Sequence, residues 1–253
     1  MTKPFSLEGR AALVTGSSQG IGLAIALGLR DAGARVVCHG LQERPPALPE
    51  DVAYVPCDLL DPSAPSTLVE RAFILEPALD ILVCNAGSFF DLPVLEMTRE
   101  RWEKTMQLNL TATFFIVQAF AKRLAGEKRN GSVVITSSTN GFQGEADSAA
   151  YDSSKGALVM LTRSLAVSLA DHGIRVNGIA PGLIRTPLTS TWLEPRAHDL
   201  LKHYEKKILL NRVGVPEDCA GAVVFLCSSA ASYITGEIIM IDGGLTVAQI
   251  GRI

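Results

Sequence analysis

Short apolar runs alternate along this chain with longer stretches whose apolar residues recur every three or four positions. Ala11–Val14 is apolar throughout, as parallel strands covered on both faces are. A helical period follows at residues 21–30 and stops at Gly33, and residues 35–38 are apolar again, completing a β-α-β unit. Further strands are expected at Ala53–Pro56, 80–84, Gly131–Thr136, 175–180 and 237–241, and helices at 63–76, 100–123, 151–170 and 216–228. Residues 100–123 read as one long helix with Trp102, Met106, Leu110, Phe114 and Val117 on its apolar side. Asn109 sits among them; a buried amide needs partners, so it either satisfies an irregularity in the helix or holds a water. Pro45, Pro46 and Pro49 exclude a regular helix from residues 41–51, so that crossover is expected to be a loop. Residues 183–212 carry no strand signal and are polar with scattered aromatics, Trp192 and Tyr204 among them. The whole predicts an α/β fold: a doubly wound parallel sheet of Rossmann type, one domain over residues 1–253, with a substrate-lid insert near 183–212.

Composition narrows the function. A net charge of −3 offers no basic footprint for nucleic acid or an anionic membrane. No apolar run reaches the ~18 residues of a membrane helix, and residues 1–10 lack the apolar core of a signal peptide. The five cysteines form no Cys-x-x-Cys pair, and an odd count in apolar settings reads as reduced, buried thiols rather than disulfides or a metal site. A soluble protein of the cytoplasm is expected, with no metal. A mean hydropathy of +0.25 suggests that subunit contacts bury further surface.

Three stretches carry candidate chemistry. Between the first strand and helix, Thr15-Gly16-Ser17-Ser18-Gln19-Gly20-Ile21-Gly22 places glycines where a backbone would approach a pyrophosphate and amides at a helix start would attract its charge. The spacing is Gly-x-x-x-Gly-x-Gly, not the general dinucleotide fingerprint, but the strand-helix context points to nucleotide binding, with a turn that merely packs helix on sheet as the alternative. The second strand ends at His39-Gly40, without the acidic residue that often meets the ribose of NAD. No Arg or Lys stands at Gln19 or Leu41 to meet a 2′-phosphate; His39 and Arg44 are the nearby cationic candidates, and both also read as solvated loop residues. Asp58 either meets an adenine amino group or makes a turn. Asn85-Ala86-Gly87 is small enough for a cofactor to lie against. On the helix from Tyr151, Lys155 is four residues on, so phenol and ammonium share one face. A nearby ammonium lowers a phenol's pKa, which would suit Tyr151 to general acid-base work; an incidental surface pair is the alternative.

These motifs, with Ser138 thirteen residues before Tyr151 and Pro181-Gly182 after the sixth strand, have an order and spacing that strongly resemble the short-chain dehydrogenase/reductase family, from about residue 7 to 244. The resemblance implies an oxidoreductase that interconverts a secondary alcohol and a ketone by hydride transfer with NAD or NADP, the preference unresolved. It implies Tyr151 as the acid/base, Lys155 lowering its pKa and holding the nicotinamide ribose, Ser138 bonding the substrate oxygen, and Asn109 holding a relay water. It implies that Gly16, Ser17, Ser18, Gln19, Ile21 and Gly22 line the phosphate and ribose region, with His39 near the 2′ position, Asp58 and Leu59 at the adenine, and Asn85, Ala86 and Gly87 along the cofactor. Pro181, Gly182, Ile184 and Thr186 would flank the nicotinamide. A homotetramer is the assembly it implies. Asn140, Glu145 and Trp192, with Ser138 and Tyr151, are the substrate candidates, and the polar set suggests a sugar or polyol. Two other readings stay open: a 3-oxoacyl-carrier-protein-type reductase, for which the lid shows no obvious Lys/Arg cluster, and a non-catalytic nucleotide sensor, which should have lost Tyr151 or Lys155.

Overall fold

The structure, a computed structural model, describes residues 4–190, 193 and 198–247. Its strands are β1 (Ala11–Val14), β2 (Arg35–Gly40), β3 (Ala53–Pro56), β4 (Ile81–Cys84), β5 (Gly131–Thr136), β6 (Ile174–Pro181) and β7 (Ile238–Ile241). They are joined by helices α1 (Gly20–Asp31), α2 (Ala64–Leu75), α3 (Arg99–Met106), α4 (Ala112–Gly126), α5 (Ala149–Leu169), α6 (His198–Lys207) and α7 (Glu217–Cys227). The seven strands form one sheet in the order β3-β2-β1-β4-β5-β6-β7, every pair parallel. The chain winds outward from β1 to β3 and returns on the other side as β4. A crevice opens at the carboxyl ends of β1 and β4, where ligands of such sheets bind.

Alternation along the strands decides which helices cover which face. Leu13, Leu82, Val133 and Val176 point into one core with Leu68 and Phe73 of α2, Phe120 and Leu124 of α4, and Leu158 of α5. Ala12, Val14, Val83 and Val134 point to the other, with Ile25 and Leu29 of α1 and Val223 and Leu226 of α7. Each Leu, Ile or Phe fully buried in these layers contributes about 1.5–3 kcal/mol. Two-sided burial explains why the strands read as unbroken apolar runs.

Three features differ from the pattern or sharpen it. Residues 100–123 are not one regular helix: a π turn at Gln107–Thr111, closed by the Ala112 N–H on the Gln107 carbonyl, separates α3 from α4. One extra residue per turn rotates the buried stripe. Trp102 is therefore exposed, and Thr105, Asn109, Thr113, Ile116 and Phe120 face inward. Residues 41–51 form turns, as the prolines require, with the Leu48 N–H on Pro45 O (3.1 Å) and the Val52 N–H on Pro49 O (3.0 Å). Arg44 is an exposed loop residue, and it donates to the carbonyls of Leu48, Pro49 and Val52, so it also braces this loop. Within 183–212 lie α6 and the segment in which Ile184 pairs with Gly214 as an isolated bridge.

The five cysteines are free, and all but Cys57 are buried. No helix among the described residues is long and apolar enough to cross a membrane.

Candidate active site

Tyr151 opens α5 on its first turn, and Lys155 follows one turn later beneath it, its Nζ 5.4 Å from the centre of the phenol ring. Lys155 is almost wholly buried and donates to the Thr136 carbonyl at the end of β5 (3.0 Å). Burial with no carboxylate partner brings its pKa down to about 8. Ser138, two residues past β5, hydrogen-bonds the phenol. Its Oγ also accepts the Asn140 N–H (3.2 Å), which caps a short 3₁₀ turn and fixes the hydroxyl. The next residue back, Ser137, donates to the Lys155 carbonyl (2.8 Å), so the strand end and α5 are locked together.

The phenol's acidity departs from expectation. Burial pushes Tyr151 up to about 12, and the nearby carboxylates of Asp152, Glu145 and Asp91 add to the rise, while only the Ser138 hydrogen bond opposes it. Lys155 is not among the groups that shift the phenol here; its Nζ lies 5.4 Å from the ring centre.

Asn109 is fully buried on the π turn. Its Nδ2 donates to the Ser88 carbonyl and to Ser154 Oγ (both 2.9 Å), and its Oδ1 accepts the Ser88 N–H (3.0 Å). Ser154 Oγ in turn donates to the Tyr151 carbonyl (2.7 Å). The amide thus clamps the segment after β4 onto the Tyr151 helix. A Cβ on Gly87 would lie 3.1 Å from Asn109 Oδ1 and 3.5 Å from Lys155 Nζ, which places that turn against both groups.

The glycine-rich turn packs onto the same segment. Gly16 has φ +62°, and a Cβ there would come 2.7 Å from Ala86 Cα. A Cβ on Gly22 would strike the Gly16 carbonyl oxygen at 2.1 Å. Thr15 Oγ1 accepts the N–H groups of Asn85 and Ala86 (3.0 Å each), and Asn85 Nδ2 donates to the carbonyls of Thr15 and Gly16. Gln19, the N-cap of α1, makes no side-chain cap bond, and no acidic residue lies in the first turn. A helix start left uncapped beside a close-packed glycine turn fits an anionic pyrophosphate. A Cβ on Gly20 would be 3.5 Å from Thr186 Cβ, so the start of the lid segment faces this turn across the crevice. Thr186 is held in a tight turn in which its N–H donates to Thr189 Oγ1 (2.9 Å). The residues present fit a nicotinamide dinucleotide.

Several side chains expected at the cofactor are internal braces instead. Ser17 is fully buried and its Oγ donates to the Val14 carbonyl (2.7 Å) and accepts the His39 N–H (3.0 Å), so only its backbone faces the turn. His39 is no cation for a 2′-phosphate. Its Nδ1 accepts the Gly16 N–H (3.1 Å), its Nε2 donates to the Cys57 carbonyl (3.2 Å), and burial brings its pKa down to about 4. Leu59 and Ile184 put their side chains in the hydrophobic cores, which leaves backbone alone for the adenine and nicotinamide. Asp58 is an exposed turn residue that accepts the Leu60 N–H (2.9 Å). Pro181 ends β6, and the Gly182 N–H donates to the Ile241 carbonyl (2.9 Å). At Gly40 the space an acidic side chain would need is taken: a Cβ there would lie 2.4 Å from Tyr54 Oη and 2.9 Å from Ser18 Oγ.

The polar rim is a closed network. Asn140 Nδ2 donates to Glu145 Oε2 (3.0 Å) and Asp152 Oδ1 (2.8 Å), the Glu145 N–H donates to Asp152 Oδ2 (2.8 Å), and Tyr204 Oη on α6 donates to Glu145 Oε1 (2.8 Å). Glu145 thus ties the loop after β5 to α6. Trp192 lies outside the described residues. Three contributors were not legible beforehand. Thr136 acts through a carbonyl that any residue would supply. Tyr204 gives no signal beyond being an aromatic in a polar insert. Asp91, whose Oδ1 accepts the Ala150 and Tyr151 N–H groups, sits in a loop with no motif of its own.

A parallel sheet with a glycine turn at its switch point and a Tyr-Lys-Ser cluster at the neighbouring strand end defines an oxidoreductase of the dinucleotide-binding kind. Comparisons agree: a family model described as enoyl-(acyl carrier protein) reductase matches residues 16–246. The chain is 38% identical over 248 residues to the 3-oxoacyl-acyl-carrier-protein reductase FabG of Aquifex aeolicus, covering 94% of this chain and 98% of that protein. It is 35% identical to the 2-dehydro-3-deoxy-D-gluconate 5-dehydrogenase of Pseudoalteromonas atlantica, over 96% of this chain and 98% of that one. A crystal structure of a gluconate 5-dehydrogenase from Burkholderia cenocepacia in complex with NADP and tartrate superposes with a TM-score of 0.90 at 30% identity, covering 97% and 98%. The chain belongs to the short-chain dehydrogenase/reductase family, and it is an NAD(P)-dependent oxidoreductase of alcohols and ketones.

Proposed function

We propose that Tyr151 exchanges the proton with the substrate oxygen and that the substrate is a hydroxyl-rich ketone or secondary alcohol, a sugar or polyol. The observation that carries the first part is the meeting of the phenol, the Ser138 hydroxyl and the Lys155 ammonium at one strand end. When bound, the nicotinamide supplies or removes the hydride. Ser138 donates a hydrogen bond to the same oxygen as charge develops on it. Lys155, buried and free of any carboxylate, is available to the nicotinamide ribose and to the phenol. Asn109 holds Ser88 and Ser154 so that the turn at 85–87 and α5 keep their spacing. The amides of Ser18, Gln19 and Ile21 and the glycines at 16 and 22 would receive the phosphates, with Thr186 across from them. Pro181 and Gly182 would form the nicotinamide wall, and Asp58 would stand at the adenine edge.

Either coenzyme is expected to serve, NADP included. The hydroxyls of Ser18 and Tyr54 pack against Gly40 at the end of β2, where no carboxylate stands to repel a 2′-phosphate, and the Burkholderia relative is an NADP complex. For the substrate, Asn140, Glu145 and Tyr204 give the mouth hydrogen-bonding groups suited to hydroxyls, and two relatives are dehydrogenases of gluconate compounds. A second reading, reduction of an acyl-carrier-protein thioester, is favoured by the FabG relative and, against the expectation that residues 183–212 hold no Lys/Arg cluster, by Lys202, Lys206 and Lys207 on α6, which would suit an acidic carrier. In this reading of the protein, residues 1–253 act as one domain with residues 183–212 as the lid. The working form is a cytoplasmic homotetramer; exposed Phe115 on α4 and Met160 and Val167 on α5 are the apolar surface a partner would cover.

The test is a spectrophotometric screen of ketoses, aldonates, polyols and 3-oxoacyl thioesters with both coenzymes. Turnover of a polyhydroxylated compound is the expected result; turnover of 3-oxoacyl thioesters alone selects the second reading.

A further inference from the structure

Ser148 stands at the N-cap position of α5, yet its side chain makes no capping hydrogen bond. The first amides of that helix are met from another part of the chain. Asp91, on the segment that follows β4, accepts the Ala150 N–H at 2.8 Å and the Tyr151 N–H at 3.3 Å through one oxygen, Oδ1. A helix start has unpaired amides and partial positive charge, and a carboxylate satisfies both. Its other oxygen, Oδ2, is shut off from solvent and has no hydrogen-bond partner among the described residues.

Capping alone does not call for this side chain. Asn or Ser caps a helix about as well as Asp, and a carboxylate oxygen buried without a donor is costly. The segment that bears Asp91 is also the one Asn109 grips at Ser88, and it carries Phe89, whose ring meets the Tyr151 ring edge-on at 6.1 Å. We propose that Asp91 is a positioning residue for the reaction: it fixes Tyr151 against the cofactor-facing segment, and its negative charge adds to the burial that keeps the phenol protonated. The inference rests on the reading of Tyr151 as the acid/base.

Charged and hydrogen-bonding groups face the phenol from every side. Asp152 comes from its own helix, Glu145 from the loop after β5 and Asp91 from the loop after β4; all three disfavour the phenolate. Ser138, past the end of β5, hydrogen-bonds it, and Lys155 lies one turn below. Asp152 and Glu145 have both their oxygens engaged by Asn140, Tyr204 or the Glu145 amide. Asp91 is the carboxylate among the three with a buried oxygen left over. A phenol kept protonated gives its proton to a carbonyl oxygen while the hydride goes to the carbonyl carbon, so it stands in the form that the reductive direction uses.

Asp91→Ala and Asp91→Asn, made in the full chain, separate positioning from folding. Asp91→Ala is expected to lower kcat about 10- to 100-fold, the range for a small misplacement of a reacting group, with the coenzyme Kd unchanged. Asp91→Asn keeps an oxygen at the cap and is expected to recover most of that loss. It also moves the phenol's limb of the pH–rate profile to lower pH, because a repelling charge is gone. An Asp91→Asn profile that superimposes on the parent's overturns the proposal, as does an Asp91→Ala loss that merely tracks a fall in melting temperature. Tyr151→Phe, run in parallel, tells the two failures apart: an active Tyr151→Phe sinks the acid/base reading itself, whereas an inactive one beside parent-like Asp91 variants sinks only the role of Asp91.

Discussion

His39 has both ring nitrogens in hydrogen bonds that a neutral imidazole makes, one accepting from Gly16 and one donating to Cys57, and it is 3% exposed. Burial lowers its pKa from 6.5 to about 4. A depressed pKa means that the unfolded chain takes up the proton first. The stability contributed by His39 is therefore fully present above about pH 6.5 and is lost as the pH falls through that value towards about 4. A difference of this size corresponds to roughly 3 kcal/mol at most. Denaturant midpoints measured between pH 7 and pH 4 should fall for the parent and fall less for His39→Asn, which starts lower because it loses the Cys57 bond. Equal pH slopes for the two proteins would show that His39 is not the group titrating. The residue also marks a limit on reading sequence. A histidine at a strand end looks like a cation for a phosphate, but the residue beneath it, Ser17, and the strand pairing turn it inward.

At the scale of elements, the strands and helices were legible because two-sided burial and amphipathic covering leave strong periodicities. The π turn was not: it shifts a helical stripe by one position, and Asn109 was the sole hint, a polar side chain on the apolar side. The insert at 183–212 was legible as a departure from the sheet pattern but not in its contacts. Glu145 read as a substrate group, whereas Tyr204 of α6 donates to it. This clasp joins α6 to the loop that carries Ser138 and Asn140. A hydrogen bond to a charged acceptor is worth about 1.5–3 kcal/mol, and part of that is retained by water when the clasp opens. Tyr204→Phe should raise KM for the carbonyl substrate about 10-fold, a change of ~1.4 kcal/mol, with little change in coenzyme Kd. A Tyr204→Phe enzyme with parent KM and kcat would mean that the clasp does not govern the substrate side.

For the whole molecule, the sheet order places β1, β4 and β5 side by side, and their carboxyl ends carry the glycine turn, the Asn85–Gly87 turn and Ser138 respectively. That adjacency is why motifs far apart in sequence form one site. In the proposed site, Asn109, Ser138, Tyr151 and Lys155 stand out in the sequence by type and spacing, because the proposed chemistry asks for particular functional groups. What surrounds them was less so, since backbone carbonyls such as that of Thr136 and shape constraints such as Tyr54 over Gly40 leave no mark on residue type. The claim on which the rest depends is that the Tyr151 hydroxyl moves the proton. The most direct measurement is NAD(P)H-linked turnover of Tyr151→Phe alongside coenzyme binding by fluorescence titration. Loss of at least about 1000-fold in kcat, or about 4 kcal/mol of transition-state stabilisation, with coenzyme Kd within a few-fold of the parent is the expected result. Turnover of Tyr151→Phe at a rate near the parent's would contradict it.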